Sequence, residues 1–377
     1  MPLPPLVDPA PSLDAAEQER TLRHAVLPGL GEFGQRRLAA AHVAVIGAGG
    51  LGSPVILALA AAGVGTLTVI DDDVVELSNL QRQVLHRIDD LGRPKTDSAE
   101  RIARDLSPTT EVRARRERLT ADTAAELLRG ADLVVDGSDS FVTREAVADA
   151  TETLGIPLVW GALQGAAAQV TVFWATPPEG APQVVLDDLY PTGSAHDAPS
   201  CAEAGVLGPL CLQVGGLLAT EAVKLIAGVG EPLLGRILVI DAWAGAVREV
   251  PLAAARRSAP AATVPVSGVP EIAPAQLGAR LEDGAALLDV REPWETDRGV
   301  IPGSILRPLA EVLADPGALA GSVVVVCQAG GRARRAAEAL RARGVDAAVL
   351  AGGYSAWLAV TEPRAAAHAE ARAEARA

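Results

Sequence analysis

The stretch VAVIGAGGLGS, residues 43–53, joins an apolar strand directly to a glycine-rich loop. Gly47, Gly49 and Gly52 follow the spacing G-x-G-x-x-G, and Gly50 lies between them. Glycine at such a junction permits a tight turn and lets backbone N–H groups and the positive end of a helix dipole approach a phosphate. The pattern predicts a nucleotide site at the end of a buried strand, and NAD-type sites share this pattern with ATP sites.

The residues that follow the loop favour a triphosphate. The stretch VIDDDVVELSNLQRQVLH (69–86) places Asp71 at the end of a second strand and then supplies Arg82, and GRPK ends on Lys95. Asp71 is placed to bind ribose hydroxyls, the alternative being a cap of the strand end. Two cations beside a phosphate loop suit a triphosphate that is attacked by a nucleophile, whereas hydride transfer needs neither cation. The alternative is that both cations lie on a solvated face. Three neighbouring polar residues are further candidates for this site: Ser78, Asn79 and Gln81.

A third polar segment, LVVDGSDS (133–140), follows an apolar strand. Ligands of open parallel sheets bind at the carboxyl edge of the strands, and a carboxylate beside a triphosphate usually serves Mg²⁺. Asp139 is therefore the predicted Mg²⁺ ligand, with Ser140 beside it, and Asp136 is the competing candidate on position alone.

Alternation of strands and helices from residue 43 to residue 159 predicts an α/β fold with a doubly wound, mostly parallel, Rossmann-like sheet. Later strands at 169–173 and 237–240 bracket a loop-rich segment and a helix at 215–226. The Ala/Pro/Ser-rich stretch at 251–268 predicts a linker before a smaller α/β unit. The expected organisation is a mobile lead (1–15), an ATP-binding domain (16–250), the linker (251–268), a second domain (269–363) and a tail (364–377).

Composition restricts the class of protein. The chain has 377 residues, 49% of them hydrophobic and 21% charged, which predicts a packed interior. A formal net charge of −14 argues against nucleic acid as the main partner. The acidic N-terminus is unlike a signal peptide, and no run reaches the roughly 18 apolar residues of a membrane span. A cytoplasmic enzyme without a membrane partner is expected.

The three cysteines form no close pairs and are interpreted singly. Cys327 ends the apolar strand VVVVC and opens CQAGGR before a helix, so loop N–H groups, the helix N-terminus and Arg332 would stabilise a thiolate or persulfide. Cys211 falls in a Leu/Gly-rich segment and is interpreted as a small buried hydrophobe.

From about Arg20 to Val250 the chain resembles the ThiF/HesA/MoeB adenylyltransferases, bacterial relatives of the ubiquitin-activating enzymes. The resemblance implies that ATP adenylates the C-terminal glycine of a small ubiquitin-like sulfur-carrier protein ending in Gly-Gly. It also implies a homodimer in which Arg23, in RTLRH, reaches the partner subunit's site. The matching blocks are LPGLGEFGQRRL (27–38), VIGAGGLGS (45–53), AAGVGTLTVIDDDVVELSNLQRQVLH (61–86), GRPK (92–95) and SCAEAGVLGPL (200–210). The implied contacts are Gly50 and Asp71 with the nucleotide, Asn79, Arg82 and Lys95 with the phosphates, and Asp139 with Mg²⁺.

Residues 270–360 resemble a rhodanese domain through LLDVREPWE (287–295), IPGS (301–304), CQAGGR (327–332) and GGYSAW (352–357). This resemblance makes Cys327 a persulfide carrier. Val300 stands where many rhodaneses have histidine, and Ala333 where serine is common, which leaves the sulfur donor open between a cysteine desulfurase persulfide and thiosulfate.

Two departures separate the first domain from its family. Many relatives bind zinc through two Cys-x-x-Cys pairs, but here the first pair aligns with Val185 and Asp188 and the second with the cysteine-free stretch 256–260. Zinc needs four N or S ligands in a closed site, so no zinc is predicted. Ser140 stands where relatives usually have asparagine, and its hydroxyl can still donate or accept a hydrogen bond.

These features predict an adenylyltransferase, a kind of nucleotidyltransferase, with sulfurtransferase activity. The persulfide on Cys327 would attack the carrier acyl-adenylate, and Cys201 in SCAEAGV either completes the thiocarboxylate or is a dispensable loop residue. Molybdopterin biosynthesis is the leading pathway, with thiamine, cysteine and thio-natural products as alternatives. An NAD-dependent oxidoreductase and a non-catalytic scaffold for a ubiquitin-like partner are alternatives of another class.

Overall fold

A computed structural model describes residues 3–192, 205–254, 269–316, 321–328, 330–358 and 360–361. These residues form two compact units, the first ending at residue 254 and the second beginning at residue 269. The predicted linker falls mainly, and the predicted tail wholly, outside the described residues.

An eight-stranded sheet forms the centre of the first unit, in the order β3-β2-β1-β4-β5-β6-β7-β8. The first five strands in that order are parallel, and β6, β7 and β8 continue the sheet antiparallel. Chain order reverses between β1 and β4, which is where ligands bind in doubly wound sheets. The strands are β1 (His42–Ile46), β2 (Thr66–Ile70), β3 (Glu111–Arg115), β4 (Leu133–Asp136), β5 (Leu158–Gln164), β6 (Ala167–Phe173), β7 (Arg236–Asp241) and β8 (Ala246–Pro251).

Helices connect these strands, and two of them differ from the sequence prediction. The sequence of residues 16–25 predicts one continuous helix, but the structure interrupts it at Thr21, whose Oγ1 donates to the Glu17 carbonyl at 2.6 Å. The helix expected to begin at Gly215 begins at Gly208, because Pro209 occupies the first turn, where its missing N–H costs nothing. The helices are α1 (Ala15–Arg20), α2 (Leu22–Ala25), α3 (Gly31–Ala40), α4 (Gly52–Ala62), α5 (Lys95–Leu106), α6 (Ala124–Leu127), α7 (Phe141–Leu154) and α8 (Gly208–Ala227).

The sheet is buried on both faces. In β1, Val43 and Val45 belong to one apolar cluster, and Ala44 and Ile46 to the other. This explains why the central strands are continuously apolar, as parallel strands covered by helices are. Among the described residues only α8 has the length and apolar composition of a membrane span, and it packs in the core against α4, α3 and β5.

The N-terminal segment differs from the predicted mobile lead. Leu3, Leu6 and Val7 pack against the core cluster, and the Leu6 N–H donates to the Leu225 carbonyl at 3.2 Å. Arg36 Nε donates to the Ala10 carbonyl at 2.5 Å. The segment is therefore held against α8 and α3.

The second unit contains a five-stranded parallel sheet in the order β11-β10-β12-β13-β9. The central strand β12 is buried on both faces, with Val323 and Val325 in one cluster and Val324 and Val326 in the other. The elements are β9 (Glu271–Ile272), α9 (Leu277–Glu282), β10 (Ala286–Asp289), α10 (Pro293–Thr296), β11 (Ser304–Leu306), α11 (Leu309–Ala314), β12 (Ser322–Val326), α12 (Gly331–Arg341) and β13 (Asp346–Leu350).

Candidate functional site

A cleft with a cavity of about 230 Å³ opens where β1, β2 and β4 end, at the reversal of strand order. The sheet therefore gathers residues from three separate parts of the sequence into one wall. The predicted site residues that line the cleft are Gly47, Gly49, Gly50, Asp71, Arg82, Lys95, Asp139 and Ser140.

The glycines of the loop are required for two different reasons. Gly47 has φ 82°, a left-handed conformation that side chains disfavour. A Cβ on Gly52 would lie 1.7 Å from the Gly47 carbonyl oxygen, so the start of α4 packs directly on the loop. Gly50 leaves room for the Cys211 sulfur, which would lie 3.2 Å from an added Cβ. Cys211 is buried, as expected, and also lines the cleft.

Asp71 ties the glycine loop to β2. Its Oδ2 accepts from the Ala48 N–H at 2.7 Å, and its Oδ1 accepts from the Asp73 N–H at 2.8 Å. Burial raises the pKa of this carboxyl, and the charge of Lys95 and the two N–H groups oppose the rise. The carboxylate thus orders the loop as well as facing the cleft.

Lys95 begins α5 and projects its ammonium into the cleft. The side chain is 7% exposed, and Nζ donates to Asp73 Oδ2 at 2.8 Å. Asp73 is a residue that the sequence prediction missed, and its signal is the acidic run Asp71–Asp73 at the strand end. A phosphate entering the cleft would share or replace this carboxylate as the partner of Lys95.

The SNLQRQ segment (78–83) places only part of its polar set in the cleft. Arg82 lines it, and Arg82 Nη1 also donates to the Ser78 carbonyl at 3.1 Å. Asn79 lies outside the cleft wall and accepts from the Glu76 N–H at 3.1 Å through Oδ1, which caps a short turn. Gln83, another residue the prediction missed, is 5% exposed, lines the cleft and has a buried Oε1 without a partner among the described residues.

The structure separates the two aspartates that compete for Mg²⁺. Asp136 is fully buried at the end of β4, its Oδ1 accepts from the Ser138 N–H at 2.9 Å, and burial raises its pKa. Asp139 is exposed on the cleft wall just before α7. A solvated carboxylate beside phosphates is the usual protein contribution to Mg²⁺ binding, so Asp139 fits that ion.

Another residue outside the prediction, Arg144, supports the segment that carries Asp139. It is 4% exposed, lies over the rings of Phe141 and Trp160 at 5.0 and 5.3 Å, and donates through Nη2 to the Ser138 carbonyl at 2.8 Å. Nothing in the sequence around Arg144, which lies four residues after Ser140, predicted this role.

Three predicted features lie elsewhere. Arg23 is exposed on α2 and is not part of the cleft wall of its own chain. Cys201 lies outside the described residues. Asp188, at the position of a family zinc ligand, accepts from the Val185 N–H at 2.9 Å, and the described residues contain no group of three or more potential metal ligands.

In the second unit, Cys327 lies between β12 and α12. It is completely buried, and its Sγ accepts from the Gly330 N–H at 3.1 Å. The Tyr354 N–H donates to the Cys327 carbonyl at 2.8 Å, which attaches the loop to the GGYSAW segment. The loop N–H expected to stabilise sulfur is therefore in place.

Arg332 contributes differently from the sequence expectation. Its Nη1 and Nη2 donate to the two oxygens of Glu295 at 2.6 and 2.7 Å. Burial would raise the pKa of Glu295, but the hydrogen bonds from Arg332 and the Glu292 N–H outweigh it and lower the pKa. The guanidinium charge is compensated, so Arg332 acts first as a support of the loop.

Comparisons with known proteins agree with both units. The ThiF family model matches residues 21–261, and the rhodanese-like domain model matches residues 273–360. The chain is 41% identical to a probable adenylyltransferase/sulfurtransferase MoeZ of Mycobacterium tuberculosis, over 96% of this chain and 98% of the relative. It is 46% identical to a sulfur carrier protein adenylyltransferase of Thermus thermophilus, over 62% of this chain and 87% of the relative.

Solved structures agree on the fold. A crystal structure of PaaA superposes with a TM-score of 0.55 at 24% identity, covering 64% of this chain and 76% of that one. The family models together span both units, and the first relative is matched over nearly its whole length. The chain therefore belongs to the ThiF family and is an adenylyltransferase/sulfurtransferase with a C-terminal rhodanese domain.

Proposed function

We propose that the first unit uses ATP to adenylate the C-terminal glycine of a ubiquitin-like sulfur-carrier protein ending in Gly-Gly. The carrier carboxylate would attack the α-phosphorus of ATP, and pyrophosphate would leave. The observation that supports this most is the buried ammonium of Lys95 in the same cleft as the glycine loop and Asp139. Both reacting groups are anionic, so fixed positive charge at the developing charge lowers the barrier. The name of the Thermus relative supports a sulfur carrier as the substrate.

Mg²⁺ would be held by Asp139 together with the phosphates, and it would neutralise charge on the leaving group. Lys95→Ala and Asp139→Ala are each expected to abolish carrier-dependent ATP–pyrophosphate exchange. Near-normal exchange in either variant would remove that residue from the proposed site.

The second unit would then supply sulfur. A persulfide on Cys327 would attack the acyl-adenylate carbonyl, so that AMP leaves and an acyl persulfide joins the carrier to Cys327. Cleavage of its S–S bond needs two electrons, and a thiol such as Cys201 would provide them by forming a disulfide with Cys327, releasing the thiocarboxylate. The Gly330 N–H at the Cys327 sulfur supports this role. Thiosulfate sulfurtransferase activity that survives Cys327→Ser would reject it.

A homodimer is proposed because Arg23 lies outside the cleft of its own chain, and in the resembled family this arginine acts in the partner's site. Its neighbours Leu22, Val26, Leu27 and Phe33 are exposed large apolar side chains, which suits burial against a second copy. A monomeric mass in solution at micromolar concentration, with full exchange activity, would reject the dimer.

The proposed pathway is molybdopterin biosynthesis in the cytoplasm, on the MoeB resemblance; thiamine, cysteine or thio-natural-product carriers would use the same chemistry. The sulfur donor is proposed to be a cysteine desulfurase persulfide or thiosulfate. Recovery of the carrier on the tagged chain, followed by its sequencing, would distinguish these pathways.

A further inference from the structure

His86 lies against the glycine loop, in contact with Ala48. Its side chain is buried, with Nε2 3.0 Å from the Ala48 carbonyl oxygen and Nδ1 3.0 Å from Ser98 Oγ on α5. His86 is not among the residues that line the cleft. Its imidazole therefore joins the phosphate loop to the helix that begins with Lys95.

The contacts determine the state of the ring. A carbonyl oxygen only accepts, so a hydrogen bond to Ala48 requires the proton on Nε2. The Ser98 hydroxyl has one proton, which it donates to Asp90, so Nδ1 lies against Ser98 Oγ without receiving that proton. Burial lowers the pKa of His86; the Ala48 carbonyl and Asp90 oppose this, whereas Lys95 and Arg101 add to it. Burial favours the neutral ring, and the Ala48 carbonyl then selects its Nε2–H tautomer.

On the far side of the ring, Ser98 is anchored by the ion pair of buried Asp90 with the partly exposed Arg101. Ser98 Oγ donates to Asp90 Oδ2 at 3.1 Å, and that same oxygen accepts from Arg101 Nη2 at 2.8 Å and from the Arg87 N–H at 2.9 Å. Arg101 belongs to α5, as Ser98 does. The position of the imidazole is thus set by residues that do not touch the cleft.

The peptide groups on both sides of Ala48 are held. Its N–H donates to Asp71, and its carbonyl accepts from His86 and from Ser53 Oγ at 2.9 Å. The next residue is Gly49, whose φ is unrestricted by a side chain, so the peptide between Ala48 and Gly49 can rotate at little cost. Rotation would turn the Ala48 carbonyl toward a bound phosphate and the Gly49 N–H away from it.

The N–H groups of Gly49 and Gly50 have no acceptor among the described residues. Unpaired N–H groups ahead of a helix are the donors that phosphate loops offer to an anion. We propose that His86 is a positioning residue of the nucleotide site: its Nε2–H holds the Ala48 carbonyl away from the cleft and keeps the Gly49 N–H directed at the phosphates. This inference rests on the proposed binding of ATP in the cleft.

The test compares two substitutions in the full-length chain. The side-chain amide nitrogen of His86→Gln takes roughly the place of Nε2, whereas that of His86→Asn is one bond shorter and cannot reach Ala48. Titration calorimetry with ATP and excess Mg²⁺ should show an affinity about three- to tenfold weaker for His86→Asn, the loss of one hydrogen bond, and within about twofold of wild type for His86→Gln. His42→Asn, at the opposite end of β1, is the matched control with unchanged affinity.

Equal affinity of His86→Asn and wild type would overturn the proposal, as would equal weakening by Asn and Gln. Failure of the wild type itself to bind ATP would instead reject the proposed function. If His86→Asn does not fold, the wild-type protein gives the answer: the ¹⁵N shifts of His86 must show the Nε2–H tautomer, and an Nδ1–H tautomer would overturn the proposal.

Discussion

Replacing Lys95 by Met removes the ammonium from the cleft and retains most of the buried aliphatic chain. The Lys95 N–H, which donates to the Asp73 carbonyl at 3.1 Å, is unaffected, and Met is a good helix former at the first position of α5. The substitution therefore tests charge alone.

The expected effects on stability and on rate differ in size. Asp73, the partner of Lys95, is 67% exposed, so water solvates it when the lysine is gone, and the free energy of unfolding should fall by only about 0.2–1 kcal/mol. Loss of a preorganised charge at the transition state costs about 10²–10³ in rate, or about 2.7–4 kcal/mol. The exchange rate should therefore collapse in a protein that remains folded.

The assay is ATP–pyrophosphate exchange with the recovered carrier protein, beside a urea unfolding curve for each variant. Arg93→Met is the control. Arg93 lies two residues before Lys95, and its side chain pairs with Asp97 on the surface. It should keep its exchange rate within about twofold of wild type, as expected for a surface ion pair. An exchange rate in Lys95→Met equal to that of the control would refute the assignment of Lys95 to the phosphates.

Three further predictions test other contacts. Gly52→Ala should abolish ATP binding and lower the melting temperature, because its Cβ meets backbone, whereas Gly216→Ala has open space and should be neutral or stabilising by up to about 1 kcal/mol; equal melting temperatures would contradict this. Arg332→Met leaves buried Glu295 without its main partner and should destabilise the second unit by about 3–5 kcal/mol in urea unfolding, with relief in the double variant carrying Glu295→Gln. The lowered pKa of His86 means that the unfolded chain binds the proton first, so stability should fall as the pH drops below about 6.5; a slope unchanged in His86→Gln would exclude this histidine as the cause.

The parallel half of the large sheet was predictable because its strands are short apolar runs that alternate with helices. Strand β8 was not, because Ala246–Pro251 is exposed along almost its whole length and forms a strand through its pairing with β7. The first turn of α8 was hidden because Gly208 and Pro209 suggest a loop when read without their surroundings. The composition of a segment indicates whether it is buried. The structure of these two segments depends instead on the elements that pack or pair with them.

The candidate site likewise contains features that could be predicted from the sequence and features that could not. The glycine loop and Lys95 could be located because their motifs are local. The role of Asp73 could not, since its carboxylate meets an ammonium 22 residues further along the chain. Pairing of Arg332 with Glu295, 37 residues apart, likewise changes the role expected for a loop arginine. Such partners become visible only when the sheet brings strand ends together.

The two ends of the segment between Asp73 and Lys95 lie side by side. Val75 donates its N–H to Arg93 at 2.9 Å and accepts from the Gly92 N–H at 2.9 Å, so the two ends are closed by their own backbone. The position of Lys95 is therefore independent of the length of chain between these ends. Ile88, 63% exposed within this closed loop, is a place where a spectroscopic tag could be attached through a side chain without displacing the lysine or the Arg87 N–H that holds Asp90.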